Sequence, residues 1–317
     1  MAARTEIDEG PQAAPQTHRL DRTGHVTMPI PRDTIVDDRL PPPETRLPRT
    51  GEVVGPYLIT GVLGSGGYGL VYRGVHRLVH RPVAIKMPRT EEPEKLRVAV
   101  ADLRREARLL AKLDSPYFVR VLDYAEQPPR PWLVLEYVNG ATLAELIRQS
   151  GGLQIAPALR ILSQVADAMA FCEEAGIAHN DLKPANILIT KTGQIKIADL
   201  GLAQFVGAES PGKLAGTITH LAPELLAEST VGSPTTDVYS FGVTCYETLT
   251  GLLPFHGDNA LEVMIQHATY TPAAPHLVVP DVPRWLSELV VKMLAKDADH
   301  RPRFGPIRDA FAKANKN

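Results

Sequence analysis

From Tyr57 the chain reads "YLITGVLGSGGYGLVYRGVHRLVHRPVAIKMP", short β-branched and aromatic runs broken by glycine, a pattern that predicts three consecutive strands. A helix is expected over residues 94 to 113, where Leu103, Glu106 and Leu110 follow an i, i+3, i+7 line. "PWLVLEYV" reads as a further buried strand, after which the chain becomes helix-rich through to residue 314. Two stretches interrupt it: "IAHNDLKPANILIT" at 177 to 190, and a segment with Gly, Ala and Ser at 199 to 220. Around Thr192-Gly193 two β-rich runs predict a short hairpin. Strands first and helices later imply an α+β protein of two unequal lobes, the β-rich one over 53–136 and the helical one over 137–317.

The first 50 residues break this pattern. They hold eight prolines, eight Leu, Ile, Val or Phe, and fifteen charges of both signs, too little apolar surface to offset ordering entropy. Residues 1 to about 52 are therefore expected to form a flexible tail. A net charge of -2 and a pI near 6.6 give no general pull towards nucleic acid or anionic lipid. Cys172 and Cys245 lie in apolar-periodic segments far apart in sequence, as buried thiols in a reducing compartment do. No apolar run reaches the roughly 20 residues that cross a bilayer, and the N-terminus lacks the apolar stretch of a signal peptide. The expectation is a cytoplasmic protein with no membrane segment and no nucleic-acid partner.

The first candidate chemistry is "GSGGYG" over Gly64, Ser65, Gly66, Gly67, Tyr68 and Gly69. It fits G-x-G-x-x-G, whose glycines let backbone N–H groups approach phosphate oxygens. A dinucleotide-binding loop of that spacing should open into a helix, whereas this one continues as "LVYRGV", so a hairpin fits better. Twelve residues beyond Val71 comes "VAIK", and the conjunction of loop, valine and strand-borne Lys86 is far more specific than either part. Glu106 lies on the apolar stripe of its helix, where a carboxylate is costly unless paired. An ion pair with Lys86 would satisfy it and aim the lysine at a nucleotide's α- and β-phosphates; surface pairs with Arg105 or Arg108 are the alternative.

With "HNDLKPAN" the sequence resembles the eukaryotic-like protein kinase family, and the likeness runs from about Tyr57 to Phe311. The resemblance implies a bilobal fold using ATP and Mg2+. It makes Asp181 the base for a substrate hydroxyl, Asn186 a metal ligand, and Lys183 a cation near the γ-phosphate. "ADLG" supplies the second metal carboxylate, Asp199, 18 residues after Asp181, with Leu200 where the family has Phe. By the same resemblance adenine sits between Leu63, Val71 and Ala84 above and Leu188 below. Leu135 is the gatekeeper, and the backbones of Glu136 and Val138 pair with the adenine edge. "APE" at 222 to 224, "DVYSFG" from Asp237 and Arg301-Pro302 also match, implying that Asp237 anchors the catalytic-loop backbone and Arg301 pairs with Glu224.

"DLKPAN" and Gly216-Thr217 resemble the Ser/Thr class, which implies protein Ser/Thr hydroxyls as acceptors, and "LLPFHGDN" with "LAKDADHRP" looks most like bacterial Ser/Thr kinases. Thr217 would then bond Asp181 and Lys183. The family commonly has Arg before the catalytic Asp, and this chain has Asn180, a neutral amide that cannot replace a charge-assisted bond to a phosphorylated residue. Phosphorylation between Asp199 and Glu224 is therefore not expected to be the main on-switch. Leu200 and His220 also depart from the pattern without removing a reacting group. In the tail, Thr34 precedes Asp37 by three residues, a spacing resembling phosphothreonine ligands of forkhead-associated domains. The competing reading is a pseudokinase, a nucleotide-binding scaffold without transfer. Such proteins usually lose one of the groups that Lys86, Asp181, Asn186 and Asp199 supply here.

Overall fold

The computed structural model describes residues 47–66, 69–126, 130–205, 217–226 and 232–314. The chain divides into Met1–Pro41 and Pro42–Asn317, and every described residue belongs to the second unit. Thr34 and Asp37 therefore lie outside the described residues, as does most of the expected tail. Residues 49 to 52 turn back on the first lobe, with the Gly51 N–H donating to the Ile59 carbonyl at 2.8 Å.

That lobe is one antiparallel six-stranded sheet built from β1 (Val53–Val54), β2 (Tyr57–Gly66), β3 (Gly69–His76), β4 (Pro82–Met87), β5 (Val121–Ala125) and β6 (Trp132–Glu136). The strand order is β1-β2-β3-β4-β6-β5. The three strands expected between Tyr57 and Met87 are β2, β3 and β4. Alternate residues Tyr57, Ile59, Tyr72, Val83, Ile85, Met87, Trp132 and Val134 make a core for one face of the sheet. Between β4 and β5 runs α1 (Pro93–Lys112), one residue earlier than the pattern predicts, with Pro93 in its first turn. Its buried residues are Leu103, Glu106, Ala107, Leu109 and Leu110, so the stripe read from sequence is the face laid on the sheet.

The second lobe begins with β7 (Gly140–Thr142) and α2 (Leu143–Ser150), which starts in a capping box between Thr142 and Glu145. There follow α3 (Ile155–Glu174), β8 (Ile177–Ala178), β9 (Ile187–Thr190), β10 (Ile195–Ile197) and β11 (Gln204–Phe205). The chain then folds into α4 (Pro234–Thr250), α5 (Ala260–Thr269), α6 (Pro275–Val278), α7 (Arg284–Met293) and α8 (Phe304–Ala314). Strands β10, β9 and β7 form one small sheet, and β11 pairs with β8. Helix α4 is buried along nearly its whole length and sits at the centre of the lobe between α3 and α7. Gly242 permits the close approach to α7, because a Cβ there would lie 2.9 Å from Met293 Cβ.

The short strands β1, β5, β7, β8 and β11 carry no pattern of their own in the sequence. Pairings of two to five residues are set by tertiary neighbours more than by local pattern. Cys172 on α3 and Cys245 on α4 are buried free thiols. Helix α3, with 20 residues and a mean hydropathy of 1.3, is the one helix among the described residues long and apolar enough to cross a membrane. Arg160, Gln164 and Asp167 interrupt its apolar run, so it holds no unbroken stretch of about 20 apolar residues. Its residues Ala158, Leu162, Val165, Ala166 and Met169 are packed in the lobe's core, the placement of a central core helix.

Candidate active site

Lys86 stands on β4 opposite Val71 of β3, and its ammonium is shared by two carboxylates. Nζ donates to Glu106 Oε2 at 2.6 Å and to Asp199 Oδ1 at 2.7 Å. Glu106 is 1% exposed and Lys86 6%, so this pair sits within the first lobe in a nearly dry environment, and the contact to Asp199 joins it to the second lobe. Burial alone would lower the lysine's pKa, but Glu106 and Asp199 outweigh it and the ammonium is held above its ordinary range. Burial raises Asp199, yet Lys86 prevails and the carboxyl is held below its usual value. For Glu106, burial pushes the carboxyl up against the pull of Lys86. The alternative partner Arg105 instead engages Asp102 and the Gly201 carbonyl, the latter at 3.2 Å. A Cβ at Gly201 would sit 3.2 Å from Asp199 Oδ1 and 3.7 Å from Lys86 Nζ, so glycine leaves the charged cluster its space.

The loop between β8 and β9 carries the second group. Its bend is held by Asp237 at the start of α4, whose carboxylate accepts the His179 N–H at 2.7 Å and the Asn180 N–H at 2.8 Å. Burial pushes the Asp237 carboxyl up to about 7 against those two backbone donors. The bend needs Asn180 at φ 64°, a left-handed conformation that Asn tolerates better than most residues. Beyond it Asp181 is ringed by donors. Oδ2 takes Lys183 Nζ at 2.6 Å and Asn186 Nδ2 at 3.1 Å, and Oδ1 takes the Thr217 N–H at 3.1 Å and its hydroxyl at 3.0 Å. Lys183 also donates to the Thr217 hydroxyl. The two groups are stitched by the Ala198 N–H, which donates to the Asn186 carbonyl at 2.9 Å one residue before Asp199.

Asn186 spends its Nδ2 on Asp181 and Asp199 its Oδ1 on Lys86, which leaves Asn186 Oδ1 and Asp199 Oδ2 with no hydrogen bond from the described residues. Two oxygen donors fit Mg2+, which binds through one or two protein oxygens and completes its octahedron with phosphate and water. Asp199 itself adopts φ 65°, a left-handed position outside a turn, of the kind held in place at functional sites.

The predicted purine pocket is partly assembled. Leu135 is buried on β6 opposite Ala84, and Ala84, Val138 and Leu188 pack against the same apolar cluster. Leu63 is 46% exposed on β2 and lies outside that cluster, as does Val71. Gly64 pairs with Val71, Ser65 with Leu70 and Gly66 with Gly69, so the glycine loop is a hairpin. Gly67 and Tyr68 lie outside the described residues. Gly69 has φ 148°, and a Cβ there would lie 2.3 Å from the Met87 carbonyl. Glu136, expected to act through its backbone, also holds Lys196 Nζ at 2.6 Å with its carboxylate, a contact sequence reasoning missed.

Residues 57–311 match the protein kinase domain family, and the chain belongs to that family. Among its relatives is the serine/threonine-protein kinase PknA of Mycobacterium tuberculosis, 37% identical over 278 residues that cover 84% of this chain and 63% of that protein. PknL of the same organism is 36% identical over 250 residues, 77% of this chain and 62% of that protein. A probable serine/threonine-protein kinase of Clostridium perfringens is 32% identical over 255 residues, 79% of this chain and 37% of that protein. The chain thus spans less than two thirds of the length of these relatives.

Proposed function

We propose that this chain is an ATP- and Mg2+-dependent protein kinase that phosphorylates protein Ser/Thr hydroxyls, its own included. The observation that carries the reading is the sharing of one buried ammonium, Lys86, between Glu106 on α1 and Asp199 beside the catalytic loop. That contact requires three distant parts of the chain to be in place together. The glycine loop covers the phosphates, Lys86 donates to the α- and β-phosphate oxygens, and Leu63, Val71, Ala84, Leu135 and Leu188 enclose the purine. The backbones of Glu136 and Val138 take the purine's hydrogen-bonding edge.

Phosphoryl transfer needs positioning and charge neutralisation more than covalent help. Asp181 orients the acceptor hydroxyl and takes its proton as the oxygen bonds to the γ-phosphorus. The bond to the β-phosphate oxygen breaks and ADP leaves with that electron pair. Lys183 offsets charge on the transferred group, and Thr217 steadies both Asp181 and Lys183. Asn186 and Asp199 would hold Mg2+, which when bound would supply positive charge to offset the charge developing on the phosphates. The free buried thiols suit a reducing, ATP-supplied cytoplasm.

The test incubates wild type and Asp199→Asn with labelled ATP, with and without Mg2+. Transfer to Ser/Thr by wild type with Mg2+, lost in Asp199→Asn, is expected; nucleotide binding with transfer by neither would make the chain a scaffold. Mass spectrometry of residues 1 to 52 from the same incubation reads out Thr34, whose phosphorylation would create the proposed ligand of a forkhead-associated domain. A tail without phosphate would remove that partner.

A further inference from the structure

Lys196 lies on β10 between the buried Ile195 and Ile197, so alternation turns it to the other face of the strand. A lysine there would ordinarily reach solvent, but its side chain is only 16% exposed and the Glu136 carboxylate 12%. Nζ meets Glu136 Oε1 at 2.6 Å and donates to the Phe118 carbonyl at 3.3 Å. The same carboxylate accepts the Arg120 N–H at 3.1 Å, with Arg120 Nε at 3.4 Å on its other oxygen. Arg120 is 67% exposed and contributes little as an ion pair. Lys196 is the node.

Backbone hydrogen bonds show what the node joins. The Glu136 N–H donates to the Arg120 carbonyl at 2.9 Å, the Val119 N–H to Ile197 at 3.0 Å, and the Ile197 N–H to Tyr117 at 2.7 Å. Residues 117 to 120, the end of β6 and β10 therefore meet at one junction. On one side the chain runs from Glu136 to Val138, the edge proposed to hold the purine. On the other, β10 leads within three residues from Lys196 to Asp199, about 10 Å of extended chain. Burying an ammonium and a carboxylate is costly unless the geometry is fixed, so the pair favours one spacing of these segments over others.

Resting on the nucleotide reading above, we propose that Lys196 is a positioning residue that fixes the spacing between the purine-holding edge and the Asp199 carboxylate. A ligand spanning both ends benefits from that spacing, and one touching the base alone does not. Calorimetry with Mg-ADP and with adenosine, on wild type, Lys196→Met and Lys196→Arg, tests this without turnover. Lys196→Met should raise the Mg-ADP Kd about tenfold and the adenosine Kd by less than about twofold, and Lys196→Arg should restore most of the Mg-ADP affinity. In turnover, KM for ATP should rise with kcat within about twofold of wild type. Lys196→Gln, which removes the charge, keeps a donor and is one atom shorter, gives the same ratio if Lys196→Met does not fold. Equal weakening of both ligands, or none, overturns the proposal. Wild type that binds Mg-ADP but transfers nothing refutes the kinase reading alone, and wild type that binds neither ligand refutes both.

Discussion

Glu106 and His267 face the same problem, a titratable group 1% exposed, and resolve it differently. Glu106 has a cation at 2.6 Å and forms an ion pair, and removing either partner of such a pair costs about 3–5 kcal/mol. His267 on α5 has its Nδ1 at 2.9 Å from the Tyr239 hydroxyl and its Nε2 buried without a well-formed hydrogen bond among the described residues. Burial, then the charges of Lys296 and His220, lower its pKa to about 4. A histidine depressed in the folded state contributes stability that is present above pH 6.5 and lost as pH falls towards 4. His267→Gln should therefore lose about 2 kcal/mol less stability than wild type between pH 7 and 4.5, measured by urea unfolding at each pH. Equal losses would show that His267 does not titrate in that window. Glu106 was legible in the sequence because a charge on an apolar stripe demands an explanation. His267 was not, because nothing local marks the tyrosine that meets it.

At the scale of elements, the loop between β8 and β9 commits the Asn180 side chain to neighbouring segments. Its Nδ2 is committed to the Leu202 carbonyl at 3.0 Å, and Gly232 packs so closely that a Cβ there would lie 1.8 Å from Asn180 Oδ1. The side chain ties the catalytic loop to the segment just after Asp199, where an arginine would bind an added phosphate. Ser210 lies outside the described residues, and Thr219 caps the His220 ring at 3.0 Å. Replacing Ser210 and Thr219 together by Ala should leave kcat/KM within about tenfold, near 1.4 kcal/mol in barrier. A much larger loss would restore phosphorylation as the switch. The glycine hairpin, the lysine strand and the catalytic loop were readable because each needs particular residues at fixed spacing. Lys196 was not, since one lysine in an alternating hairpin looks like a solvated face until Glu136, 60 positions away, is brought against it.

In the molecule as a whole, the helical lobe is closed by one buried cation. Arg301 is 5% exposed, makes a two-pronged pair with Glu224 at 2.6 and 2.8 Å, and donates to the carbonyls of Thr235, Ala295 and Lys296. It thereby ties the segment before α8 to the start of α4 and to the stretch after Thr217. Arg301→Ala strands a partly buried carboxylate and three carbonyls, and should cost about 3 kcal/mol of stability in denaturant unfolding. A change below about 0.5 kcal/mol would mean that water replaces the arginine at no loss.

The sulfurs of Cys172 and Cys245 lie on the two helices at the middle of this lobe, both fully covered and both held as thiols by burial. Alkylating reagents need the thiolate, so neither cysteine reacts while α3 and α4 stay packed. Their rate of labelling is then a built-in clock for breathing of the helical lobe, readable at natural sequence without attaching a probe.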